Sequence, residues 1–208
     1  MNRATAALVF TISVLSADRA FAQTAFVQGG FGIDSRRFSR QPDDRVFDGN
    51  VGTVMIGGGG FLTPLVSASV EVDLGAELET AQRVTVTIAG RPEVVTTTYA
   101  SRRRSVSALF GIHSTAERMV RVGAYAGLAF TAFQQRIAAD APAIVLSTAP
   151  PPSEFTHLAA TPIVGIDLVA AFSRHLAVGA MVRAQGLGLS GELQGFSLRP
   201  GAVLRVSF

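Results

Sequence analysis

Eight ionisable residues stand out because they recur on the polar side of alternating segments. They are Glu71, Asp73, Glu77, Arg121, Asp167, Arg183, Arg199 and Arg205. Carboxylates and guanidiniums brought together in a confined space can do three things. They can pair into a fixed ionic network, they can gate a narrow ion path, or they can share protons as a catalytic dyad. Charges with no water around them must pair, because an unpaired buried charge shifts its protonation or destabilises the fold. The network is therefore the leading expectation, with Glu71, Asp73 and Asp167 facing Arg183 and Arg205. The gate is the second and the dyad the weakest.

Other reactive groups are sparse. His113, His157 and His175 are scattered, and only His157 falls at a height where an enzyme acting on outer-leaflet lipid would need it. There is no cysteine, which removes thiolate chemistry and Cys-ligated metals. Gly57 to Gly60 lacks the following Lys-Ser/Thr of a phosphate cradle. It reads instead as a place where crowding is relieved or the sheet curves. No catalytic, cofactor-binding or metal residue is assigned. A second cluster, Arg102-Arg103-Arg104, stands at the outer end of its segment. It is either a solvated loop end or a contact for lipopolysaccharide phosphates, which Arg binds bidentately.

These residues need strands to position them. From Val66 to Leu78 the odd and even positions separate cleanly. Val, Ala and Leu are on one face, and Ser, Glu, Asp and Gly on the other. Thirteen alternating residues exceed the usual soluble strand and cover the roughly nine to eleven a tilted strand needs to cross a bilayer. Seven further segments show the pattern, over about 25–34, 51–62, 103–113, 120–133, 160–172, 176–185 and 197–208. Between them, long connections (35–50, 79–100, 134–159, 186–196) alternate with short ones (63–65, 114–119, 173–175). That alternation is the habit of bacterial outer-membrane barrels, long loops outside and short turns in the periplasm. An even strand count puts both termini on the periplasmic side.

Composition agrees. The chain is 48% hydrophobic and only 16% charged, against about a quarter charged in soluble domains. No apolar run after residue 22 is long enough for a spanning helix. All eighteen cations are Arg, the net charge is +3, and no basic stripe interleaved with aromatics suggests nucleic acid. Residues 1–22 read as a signal peptide: Met1-Asn2-Arg3, a short apolar run from Ala4 to Leu15, and Ala20-Phe21-Ala22 ahead of Gln23. Residues 23–208 form the barrel domain. A lipocalin-like soluble barrel also has eight strands but turns its apolar face inward. The Gly-, Ser- and charge-rich opposite face suits a crowded lumen and favours apolar outside. With no Trp and two Tyr, Phe must supply any aromatic girdle; Phe26, Phe61, Phe110 and Phe172 fall near the periplasmic ends, and Phe31 and Phe130 higher.

The final segment, Leu198 to Phe208, alternates and stops on an aromatic residue. It resembles the C-terminal signature by which the barrel-assembly machinery recognises its clients, which makes Phe208 the expected assembly signal. Together with Val27-Gln-Gly-Gly-Phe-Gly-Ile33, Leu62 to Asp73, Val122-Gly-Ala-Tyr-Ala-Gly-Leu128 and Ile163-Val-Gly-Ile-Asp167, the chain resembles the OmpA/OmpX-like small outer-membrane β-barrels. The resemblance implies an all-β, eight-stranded, antiparallel up-and-down barrel. It implies structural, adhesive or surface-protective roles among outer-membrane lipid and lipopolysaccharide, without the peptidoglycan-binding domain of full-length OmpA. A monomer without cofactors is expected. The leading reading is a plugged barrel acting through its outer loops; a narrow channel and an outer-leaflet lipid enzyme follow.

Overall fold

A computed structural model describes residues 25–38, 47–88, 90–114, 120–140, 153–173, 175–188 and 195–208. The expected signal peptide, 1–22, lies outside the described residues. Nine antiparallel strands are present among them: β1 (Ala25–Phe38), β2 (Gly49–Thr63), β3 (Val66–Gly75), β4 (Leu78–Ile88), β5 (Arg91–His113), β6 (Val120–Asp140), β7 (Ser153–Ala171), β8 (Leu176–Gly186) and β9 (Gly195–Ser207). Their order is β3-β2-β1-β9-β8-β7-β6-β5-β4, and β3 also pairs with β5.

That extra pairing closes the ring. β3 takes the inner half of β5, from Val66↔Ile112 to Leu74↔Arg104. β4 takes the outer half, from Leu78↔Ser101 to Ile88↔Arg91. β3 and β4 are thus two pieces of one barrel strand, and the ring has eight positions. The expected single strand from Val66 to Leu78 ends instead at Gly75. The reason is the loss of its other neighbour. β2 stops pairing with β3 at Thr53↔Gly75, with one last bond from Ala76 N to Gly52 O at 2.8 Å. Beyond it the chain runs along β5 alone.

Several strands are longer than their alternation suggests. β1 reaches Phe38, β5 begins at Arg91, β6 reaches Asp140 and β7 begins at Ser153. Much of the expected loops 79–100 and 134–159 is therefore sheet. β-Branched runs such as Val94-Val95-Thr96-Thr97-Thr98 favour this pleated continuation. β5 has 23 residues, and a crossing takes about nine to eleven, so its outer half rises above the apolar belt. There β4, β5, β6 and β7 form a raised sheet, with Gly90 (φ 80°) at the β4–β5 tip in a conformation that only glycine adopts readily.

The two faces are sorted as a membrane requires. Phe31 (70% exposed), Ile112 (69%), Phe130 and Val164 face outward, while Gln28, Asp34, Glu71 and Arg183 are buried inside. This is the reverse of a soluble lipocalin-like barrel. A continuous apolar exterior of this extent marks a surface that meets lipid rather than water.

Candidate functional site: a two-layer polar plug

The lumen is lined by one side of each strand, so its residues are fixed by pleat parity and by register. They divide into an inner layer towards the short turns and an outer layer towards the raised sheet.

The inner layer centres on Arg183 of β8. Its Nη2 and Nε donate to Glu71 Oε1 and Oε2 at 2.8 and 3.2 Å, and its Nη1 donates to Asp167 Oδ1 at 2.5 Å. Arg205 of β9 completes the layer. Its Nη2 donates to Asp167 Oδ2 and Tyr125 Oη, both at 2.9 Å, and it also donates to Gln28 Oε1. The Gln28 amide donates onward to Glu71 at 2.8 Å. Two carboxylates thus meet two guanidiniums, and each of the four carboxylate oxygens accepts at least one hydrogen bond. Arg183 lies over the Tyr125 ring, 4.6 Å from its centroid, and Arg205 lies 4.8 Å from that of Phe26. Such faces attract cations electrostatically.

Glycine makes room for this layer. A Cβ at Gly165 would sit 2.5 Å from Arg183 Cδ. A Cβ at Gly111 would sit 2.7 Å from the Tyr125 ring. In an interior barely wide enough for side chains, each large group displaces a neighbour's Cβ.

The outer layer centres on Arg103 of β5. Its Nε donates to Asp34 at 2.8 Å, its Nη2 to Asp73 at 3.2 Å, and its Nη1 to Gln185 at 3.2 Å. Arg36 donates to Asp34 at 2.9 Å and to Ser101 Oγ at 3.2 Å. Arg199 is ion-paired with Asp73 and donates to Gln185 at 2.8 Å. Thr53 and Ser197 give their hydroxyl protons to Asp73 and Asp34. Above this layer the lumen turns apolar: Phe38, Phe47, Phe133 and Leu187 are buried together with Tyr99 against them.

Of the expected network, Glu71, Asp167, Arg183 and Arg205 come together, whereas Asp73 belongs to the outer layer. Glu77 does not face inward. It follows the strand break, is exposed, and pairs with Arg136 at 3.0 Å. Arg103 also departs from expectation as a lipopolysaccharide contact. Parity puts it inside with no exposed side chain, and only its neighbours Arg102 and Arg104 point out. Phe26 likewise faces the lumen rather than an aromatic girdle, and Phe61 packs 5.6 Å from it. Asp34, Arg36, Gln28 and Gln185 were not foreseen as site residues. The polar face of the first segment already held Gln28 and Asp34, and extending its alternation to Phe38 would have found Arg36.

The reactive groups are placed as follows. Ser67 Oγ and His113 Nε2 are 2.7 Å apart at the inner end, both buried. His157 Nε2 is 3.1 Å from Gln135 Oε1, and His175 Nδ1 is 2.9 Å from Ser207 O. Among the described residues no group of three or more His, Cys, Asp or Glu is placed to hold a metal ion. Phe208 is exposed, and its N–H donates to Ala25 O at 2.8 Å, beside the pairing of β1 with β9.

An up-and-down barrel of eight strand positions, polar within and apolar without, is the fold of the small outer-membrane barrels. Comparison with solved structures gives the same answer. The Neisserial surface protein A matches over 90% of this chain and 100% of its own, with TM-score 0.57 and 13% identity. The attachment invasion locus protein Ail of Yersinia pestis matches over 89% and 99%, with TM-score 0.53 and 9% identity. A major outer membrane protein of Thermus thermophilus matches over 89% and 100%, with TM-score 0.50 and 12% identity. The likeness is one of fold. No protein-family model matches the chain, and no curated protein matches it in sequence.

Proposed function

We propose that this is an outer-membrane protein whose barrel is a plugged anchor and whose work is done by the raised sheet of β4 to β7. The free edge of β4 carries the proposal. Among the described residues, Leu78–Ile88 pair with β5 on one side only. A strand edge with unpaired N–H and C=O groups is a template on which an extended segment of another protein can add as a further strand. β7 adds a second edge, since its pairing with β8 begins only at Ile163. The fold shared with an attachment protein accords with this surface role.

In this reading the raised sheet is outside the cell and both termini are periplasmic, as delivery by a signal peptide requires. Arg102 and Arg104 meet lipopolysaccharide phosphates at the top of the apolar belt. Phe208 is read by the assembly machinery, and the barrel works as a monomer without catalysis. Trypsin added to intact cells tests the orientation at Arg83, exposed on the β4–β5 hairpin. Cleavage there is expected; an untouched hairpin on intact cells, cleaved only after lysis, would reverse the orientation. Planar bilayers test the plug. A silent trace is expected, and discrete openings abolished by Arg183→Ala or altered by Glu71→Gln would establish the narrow channel instead.

A further inference from the structure

The inner layer of the lumen is electrically balanced, with Glu71 and Asp167 against Arg183 and Arg205. The outer layer is not. Among the described residues, Arg36, Arg103 and Arg199 share two carboxylates, Asp34 and Asp73. All five side chains are at most 6% exposed, so water cannot screen the surplus charge. An uncompensated buried ion costs several kcal/mol even after relaxation, more than a marginally stable fold carries without compensation.

Two N–H groups point to where compensation falls. Arg36 Nη2 and Arg199 Nε are buried and have no hydrogen-bond partner among the described residues. They belong to adjacent strands: Arg36 stands opposite Ser197 in the β1–β9 register, and Arg199 is two residues further along the same face of β9. Asp34 is already shared by two guanidiniums, and Asp73 by two. Asp48, at the rim, accepts from the Phe38 N–H at 2.7 Å and joins none of these ion pairs. Arg36 Nη2 lies against Gly75, where a Cβ would come within 2.8 Å, at the point where β3 ends and the wall breaks before β4.

We propose that the outer layer of the lumen binds one small monovalent anion, a halide such as chloride, through Arg36 Nη2 and Arg199 Nε. The anion supplies the third negative charge and accepts the two unpartnered N–H groups. Its bare size suits a crowded lumen better than a carboxylate-bearing molecule. The apolar cluster of Phe38, Phe47, Phe133 and Leu187 above it keeps bulk water away and so raises the strength of the interaction.

The test is thermal unfolding of the detergent-folded chain in sodium chloride, sodium bromide and sodium gluconate at equal ionic strength. Chloride and bromide are expected to raise the midpoint over gluconate saturably, by about 2–4 °C for a chain of this size. Arg36→Gln, which removes the surplus charge, is expected to erase that difference. Equal midpoints in all three salts, or a halide effect unchanged in Arg36→Gln, would overturn the proposal. Should Arg36→Gln not fold, bromide-grown crystals of the wild type decide it. An anomalous peak within hydrogen-bonding reach of Arg36 is expected, and a lumen without one sinks the site.

Discussion

Arg183 and Arg199 stand directly opposite each other on β8 and β9, with their side chains on the same face of the sheet. Like charges opposed across a ladder repel, and here each guanidinium turns away from the other. Arg183 reaches Glu71 and Asp167, and Arg199 reaches Asp73 and Gln185. This divergence is what divides the lumen into two layers. Replacing Arg183 by Met leaves Glu71 without a cation in the interior and Asp167 with Arg205 alone. Loss of one partner from a buried pair costs about 3–5 kcal/mol. Arg183→Met is expected to lower the urea midpoint of the folded barrel sharply. The double variant with Glu71→Gln is expected to recover part of the loss, because one orphaned charge is removed with its partner. A midpoint like that of wild type for Arg183→Met would show that the inner layer does not hold the barrel together.

Arg102, Arg103 and Arg104 separate by parity, and so should their variants. Arg103→Gln leaves Asp34 and Asp73 each with one cation fewer and is expected to destabilise the barrel in plain detergent. Arg102→Gln and Arg104→Gln are expected to leave that stability unchanged, since both point outward. They should instead weaken the stabilisation given by added lipopolysaccharide. Heat-modifiable migration in gels, with and without lipopolysaccharide, reads both effects.

The space at Gly165 is taken by Arg183. Gly165→Val puts a branched side chain where Arg183 Cδ and the Val182 carbonyl already lie within 2.5 and 2.8 Å of a Cβ. Forcing atoms into a packed interior costs about 1–3 kcal/mol or more. A lower urea midpoint is expected, while Gly52→Val, where a Cβ meets nothing within 4 Å, should be close to neutral.

The apolar exterior makes a sign-definite prediction. Leu128 is 54% exposed on the outer face of β6. Arg at the middle of a bilayer-facing strand costs about 2–4 kcal/mol. Leu128→Arg is expected to lose that much in folding titrations into lipid vesicles. An unperturbed titration would mean that this face does not meet hydrocarbon.

Deleting Phe208 removes an exposed ring and one hydrogen bond to Ala25. Refolding in detergent is expected to be little changed, whereas the amount assembled in cells is expected to fall. Equal cellular yields would remove Phe208 as an assembly signal.

The barrel was legible because its alternation is a local property: Val66 to Gly75 show their two faces without reference to any other strand. Glu71, Asp167, Arg183 and Arg205 followed from parity for the same reason. What escaped depended on partners far away in the chain. The break after Gly75 follows from β2 ceasing to pair with β3 at Thr53, a limit set by another strand. Arg36 sat in a segment whose composition suited a loop and Arg103 at the outer end of its strand segment, and only continued pairing with β9 and β6 carries them into the lumen. The division of Asp73 from Glu71, two residues apart on one face, turns on which arginines reach them from across the barrel.

The seam between β1 and β9 has a consequence for the order of events during biogenesis. Arg205 meets Gln28 across a separation of 177 residues, and Ser197 meets Asp34 across 163. No nascent chain short of its last strand can make either contact. Asp34 and Gln28 must therefore wait, solvated, through synthesis and export, while the strands between them are already available to pair. Contacts this distant in sequence are the slow ones to form. The interior is thus sealed by the final turn of the ring, and an arrested chain would present its arginines to water rather than to lipid.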